Sequence, residues 1–148
     1  MSIRELVSEQ ITCRMITQPA LHLMEAQLPA DLIDKVNAHI DAGRGNANDY
    51  ASALVGQIRR DKKSAQLRMD LEQGIPAALG GVIMQVATEY LRGQDFNAAI
   101  KPNDMWSVHS YEGDYNPLHD HGGNTPLGLS SILYLQVPPA IAEKGAIE

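Results

Sequence analysis

The chain has 148 residues, 44% hydrophobic and 20% charged, the size and composition of one globular domain with a core to bury. Its 12 Lys and Arg against 18 Asp and Glu leave a net charge of −6 with the signs interspersed, which argues against nucleic acid or an anionic membrane as partner. One cysteine, Cys13, excludes an intramolecular disulfide, and neither a signal peptide nor a run of roughly 20 apolar residues is present, so a cytoplasmic protein is expected.

In chain order, Ser2–Glu5 has capping-box spacing and reads as a short turn. "ALHLMEAQ", 20–27, alternates loosely and reads as a strand. "LPADLIDKVNAHIDAG", 28–43, reads as a helix: Pro29 lies near its start, Leu32, Ile33, Val36 and Ile40 form one stripe, and Gly43 stops it. His39 lies beside that stripe, at its boundary. Residues 48–71 are ambiguous between helix and loop. Within them "RRDKK", Arg59–Lys63, is most simply a solvated face, with a phosphate or partner site as the alternative.

"GIPAALGGVIMQVATEYLRG", 74–93, has the clearest helical periodicity, with Leu79, Val82, Ile83, Val86 and Tyr90 in one stripe. Gly80 and Gly81 cost helix propensity, which predicts a close neighbour there. No Gly-Lys-Ser/Thr follows them, so they imply no phosphate loop. From residue 104 the period changes. "DMWSVHSYEG" alternates as a strand, with Trp106, Val108 and Ser110 on one face and Ser107, His109 and Tyr111 on the other. "EGDYNP" gathers turn residues, and "LGLSSILYLQVP", 127–138, reads as a further strand. Helical elements followed by antiparallel strands predict an α+β fold in one domain, 1–148.

The chemistry concentrates in the last third. Four of the seven aromatic residues (Trp106, Tyr111, Tyr115 and Tyr134) and three of the five histidines fall between 106 and 134. In "LHDH" an extended backbone points His119 and His121 to one face and Asp120 to the other. Two imidazoles so placed can bind one metal ion, and their chemistry suits iron, zinc, copper or nickel. A polar loop whose histidines donate to backbone carbonyls is the competing reading. Neither a CxxC pair nor an HExxH helix is present, so a structural zinc site or a zincin is unsupported.

"YEGDYNPLHDH" resembles the Tyr…Gly…Tyr…His-x-Asp segment of Fe(II)/2-oxoglutarate-dependent dioxygenases, particularly the prolyl-hydroxylase-like branch. "WSVHSYEGDYNPLHDHG" followed by "LSSILYLQVP" is similar to small oxygenases of marine bacteria and their phages, over about 106–138. The resemblance implies a double-stranded β-helix (jelly-roll) core from 101 to 148, buttressed by helical support within 1–100. It implies Fe(II) with 2-oxoglutarate as co-substrate, and a small-molecule or peptidyl substrate to be hydroxylated. His119 would be a metal ligand, with His121 the second where the family usually has Asp, and Asp120 an alternative carboxylate ligand. Tyr111, Tyr115 and Tyr134 would line the co-substrate pocket, with aromatic packing as their alternative. His109 is a further candidate on the neighbouring strand, and Trp106 is expected in the core.

The pattern departs from the family at two places. A neutral imidazole at 121 removes one negative charge from the site. After His121 the sequence has neither His nor Arg, and Lys144 is its one late cation. The family's distal His and its 2-oxoglutarate-binding Arg or Lys therefore have no counterpart, and truncation of the C-terminal strands is the expectation. An unfinished sheet would expose an edge and favour pairing with a second chain, such as a homodimer. Two alternatives compete: a non-catalytic jelly-roll binding or assembly module, and a cupin-like enzyme with a three-His metal site.

Overall fold

The computed structural model describes residues 2–7, 11–18, 21–44, 66–111, 114, 115, 117 and 128–139. The chain opens with three strands, β1 (Ser2–Val7), β2 (Thr12–Gln18) and β3 (Leu21–Gln27), in an antiparallel meander of order β1-β2-β3. Ser2 pairs with Thr17 and Thr12 with Gln27, so the register runs through without a bulge. Ser2–Glu5 is thus strand and not a capped turn, because the N-terminal residues find a full ladder on β2. The expectation of helical support within 1–100 is corrected in the same way: a sheet precedes the helices.

The period of two is legible in β2 once its partners are known. Ile11, Cys13 and Met15 are buried, whereas Thr12 and Arg14 between them are exposed. Arg14 forms an ion pair with Glu25, its register partner on β3, across the solvent face.

Helix α1 spans Ala30–Gly43. Pro29 caps it without a side-chain bond, its carbonyl accepting from the amides of Leu32 at 3.1 Å and Ile33 at 3.2 Å. Asp31 in the first turn complements the helix dipole and accepts from Lys35 one turn later at 2.9 Å. The predicted stripe faces inward, with Val36 and Ile40 buried, while His39 is exposed. Gly43 is the last helical residue, and a Cβ there would stand 2.7 Å from Leu67 Cδ1, so a side chain would have to displace that buried leucine.

Helix α2 spans Gly74–Gly93, so that Gly93, which the pattern places just past the end, is its last residue. Gly74 adopts φ +66, and the far end closes over Asp95, also in the left-handed region at φ 55. There the Phe96 amide donates back to the Leu91 carbonyl at 2.9 Å. Gly80 has the predicted close neighbour, since a Cβ would meet Leu71 Cδ2 at 3.2 Å. Gly81 has nothing within 4 Å.

The core joins both helices to a short extended segment. Val36 and Ile40 of α1, Leu79 of α2, and Leu67 and Met69 form one buried cluster, with Leu133 and Leu135 packed against it. Residues 66–69, ambiguous from sequence, run antiparallel to 105–109. The Met69 amide donates to the Met105 carbonyl at 2.9 Å, and the Ser107 amide to the Leu67 carbonyl at 2.8 Å. Arg68 and Trp106 form the bridge between these donors.

Two strand expectations change here. Among the described residues the strand pairing within 104–111 is the bridge of Trp106 with Arg68, and the face carrying Ser107 and His109 is the inner one, while Trp106 is half-buried and Val108 exposed. Trp106 is therefore outside the core cluster. Residues 128–138 take no strand assignment, since no described segment offers them a ladder. Their burial still alternates: Ile132 and Tyr134 are 79% and 61% exposed, while Leu133 and Leu135 turn to the core. The architecture is α+β, and among the described residues no helix is long and apolar enough to cross a membrane.

Candidate functional site

The polar inner face of 104–111 is fixed by residues distant in sequence. Gln66 is fully buried and holds the backbone of His109 from both sides: its Nε2 donates to the His109 carbonyl at 3.0 Å, and its Oε1 accepts from the His109 amide at 2.6 Å. A side-chain amide here substitutes for one rung of a sheet ladder. Ser107 is also buried, its Oγ accepting from the Leu67 amide at 3.0 Å and lying 3.4 Å from His109 Nε2.

His109 is half-buried. Burial lowers its imidazole below the ordinary 6.5, the Arg44 guanidinium adds to the shift, and Asp41 opposes it. The ring is consequently neutral at pH 7, able to accept a hydrogen bond or to ligate. Arg44, the residue that caps α1, donates through Nη2 to the Tyr111 hydroxyl at 2.6 Å, and its Nη1 stands 3.9 Å from Asp41 Oδ1. Tyr111 is further held by a turn. Its carbonyl accepts from the Asp114 amide at 2.9 Å, and its own amide donates to Asp114 Oδ2 at 2.9 Å. These bonds reach the start of "EGDYNP", of which Glu112, Gly113 and Asn116 lie outside the described residues.

Of the predicted site residues, Tyr111 is brought into this cluster beside His109. Tyr115 and Tyr134 are 60% and 61% exposed. His119, Asp120 and His121 lie outside the described residues, as does the basic run Arg59–Lys63. Iron needs a third ligand besides two imidazoles, and among the described residues no three His, Cys, Asp or Glu side chains gather to hold a metal ion. Two surface hollows among the described residues lie elsewhere. One of about 250 Å³ follows Gly81, Met84, Gln85, Thr88 and Glu89, and one of about 440 Å³ lies between Pro29, Asp31, Leu32 and Val82.

No family model, curated protein or solved structure matches the chain. The arrangement is therefore interpreted from its own chemistry. Arg44 and Gln66 are the two residues that sequence reasoning missed. Each acts on a partner more than forty positions away, and neither carries a local signal. A basic residue at the end of a helix and a glutamine in an ambiguous segment are ordinary by themselves.

Proposed function

We propose that the chain is a domain of an Fe(II)- and 2-oxoglutarate-dependent dioxygenase that hydroxylates a small-molecule or peptidyl substrate. In this reading His119 and His121 are metal ligands, with Asp120 as the alternative carboxylate, and Tyr111, Tyr115 and Tyr134 face the co-substrate. A jelly-roll core is the finer architecture that accompanies it.

The observation that carries the reading is the order of residues from 106 to 138. An alternating segment ends at a Gly-containing turn, His-x-His follows within ten residues, and an apolar segment with a central tyrosine comes after. Its support in the fold is the anchoring of the first part: the ribbon with 66–69, the Gln66 clamp and the Tyr111–Asp114 turn fix the chain just ahead of the histidines. Pre-organised flanks of that kind suit a ligand set that must be held to a fraction of an ångström. The metal, when bound, would supply oxygen activation, while this chain's own groups bind, orient and exclude water.

The test uses the whole protein of which this chain is a domain. Anaerobic titration with Fe(II), followed by exposure to oxygen with 2-oxoglutarate, should show metal binding and succinate release, both abolished in His119→Ala. Metal binding without succinate would overturn the dioxygenase in favour of a cupin-like site. Failure to bind Fe(II) would overturn both in favour of a binding module.

A further inference from the structure

We propose that residues 129–135 are an open strand edge on which a second copy of this chain pairs through the same residues, antiparallel about Ile132. No metal ligand of the reading above takes part, so the interface goes beyond that reading and stands without iron.

The segment has the pattern of a strand without a strand's neighbours. From 128 it runs without turn or bend to Leu135, where the chain bends, and Pro138 follows shortly after. Along it Ile132 and Tyr134 face outward while Leu133 and Leu135 pack on the core cluster, the period of two of a strand lying on a core. Among the described residues none bonds the backbone of 128–137, so a row of amides and carbonyls is left for another strand. Leu129 shares the inward parity of Leu133 and Leu135 yet is 50% exposed, an apolar side chain whose cover is absent among the described residues.

Charge and register point to a second copy as the occupant. Edge strands are ordinarily kept apart by charged side chains, and the outer strands of the N-terminal sheet carry them: Arg4 and Glu5 on β1, Glu25 on β3. Between His121 and Glu143 the sequence has no charged residue, so two copies of 129–135 meet without repulsion even though each chain is at −6. Antiparallel pairing about Ile132 keeps the inward and outward faces in step. It opposes Ile132 to the partner's Ile132, Leu133 to the partner's Ser131, and Tyr134 to the partner's Ser130. It also lays the partner's Leu135 beside Leu129, the apolar side chain that lacks cover. Leu135, where the chain bends, falls at the end of the paired stretch. The outer face of such a ribbon stays open, so Tyr134 is flanked and not covered. Seven residues a side bury less than a standard interface, which sets a weak, concentration-dependent dimer with a Kd on the order of 100 μM.

The experiment is sedimentation equilibrium of the metal-free, full-length protein over a concentration series. A monomer–dimer equilibrium is expected, with amide exchange at 130–134 slowing as concentration rises. Ile132→Lys sets two ammonium groups opposite each other and should weaken the dimer at least about tenfold. Ile132 is 79% exposed, so the urea midpoint of that variant should match the wild type, which separates lost pairing from lost folding. The register is tested by Ile132→Cys. Opposed residues of an antiparallel pair lie about 4.5–5.5 Å apart at Cα, within disulfide reach, so this variant should cross-link to its own copy under mild oxidation. Ser130→Cys, on the same face but opposite the partner's Tyr134, should cross-link far more slowly, and the buried Cys13 should not compete. A monomer at every concentration would overturn the proposal, as would equal cross-linking of the two cysteine variants. Amides of 130–134 already protected in the monomer would overturn it in favour of a strand from within the same protein. In His119→Ala the dimer should form as in the wild type. Its loss there would overturn the independence from the histidine pair, whereas failure of iron binding alone would leave the interface standing.

Discussion

At the scale of single residues, the inner face of 104–111 shows how polar groups substitute for regular structure. The Gln66 amide supplies both bonds that a neighbouring strand would give His109, and Ser107 takes the amide of Leu67. Burying such groups is tolerable because each is matched; leaving one unmatched would cost about 1–3 kcal/mol. His109 differs from them in being titratable. Burial lowers its imidazole below 6.5, and Arg44 adds to the shift. The unfolded chain therefore takes up a proton at this position first as pH falls. Stability is unaffected above about pH 7 and is lost as pH drops through 6.5 towards the folded value. Urea denaturation at pH 7 and pH 5 should show a lower midpoint at pH 5, and the drop should be smaller in His109→Gln. The other four histidines are common to both proteins, so the difference isolates this one. An equal drop in the two would contradict the burial of the ring. The carboxyls of Asp31 and Asp70, already below their ordinary 3.8, do not titrate in that window.

At the scale of elements, α2 makes a matched comparison between two adjacent glycines. Gly81 is exposed, and a Cβ there would meet nothing within 4 Å, whereas at Gly80 it would press on Leu71 Cδ2 at 3.2 Å. Gly81→Ala should stabilise the protein by about 0.5–1 kcal/mol, the helix propensity recovered without a contact cost. Gly80→Ala should gain less or lose, because the half-buried Leu71 side chain must give. Thermal denaturation of the two variants checks the order, and a larger gain at Gly80 would reverse the assignment. The same helix shows what sequence periodicity can specify. Its five-residue stripe and its glycine-bounded ends were legible because the local pattern and the burial agree. The N-terminal strands were not, since Cys13 and Met15 alternate with residues whose partners lie on other strands. Only the pairing of Arg14 with Glu25 and the ladder itself make the period of two visible.

At the scale of the whole molecule, the candidate site was legible as residue types and illegible as an arrangement. Tyr111 stood out in the sequence, but the groups that position it or its neighbours, Arg44 and Gln66, come from the end of α1 and from a segment without clear periodicity. α2 is the element on which the parts meet. Its first half supplies Leu79 to the cluster with Val36 and Leu67, and its last turn receives the sheet. There Met15 Cε would lie 2.8 Å from a Cβ on Gly93, Gln94 bonds the Met15 sulfur at 3.7 Å, and the Tyr90 hydroxyl donates to the His22 carbonyl at 3.2 Å. A helix shared in this way should couple the two regions into one cooperative unit. Cys13 reports on it. The residue is 4% exposed, and burial, with Glu89 adding, raises its thiol above the ordinary value, so it should react with a disulfide reagent only after the sheet opens. Leu79→Ala, far along α2 from the sheet, should destabilise the core by about 2–5 kcal/mol. If the molecule opens as a unit, the same substitution speeds Cys13 labelling at least tenfold under conditions where reclosing outpaces the reagent. A lowered denaturation midpoint with an unchanged labelling rate would instead show the sheet opening from α2 on its own.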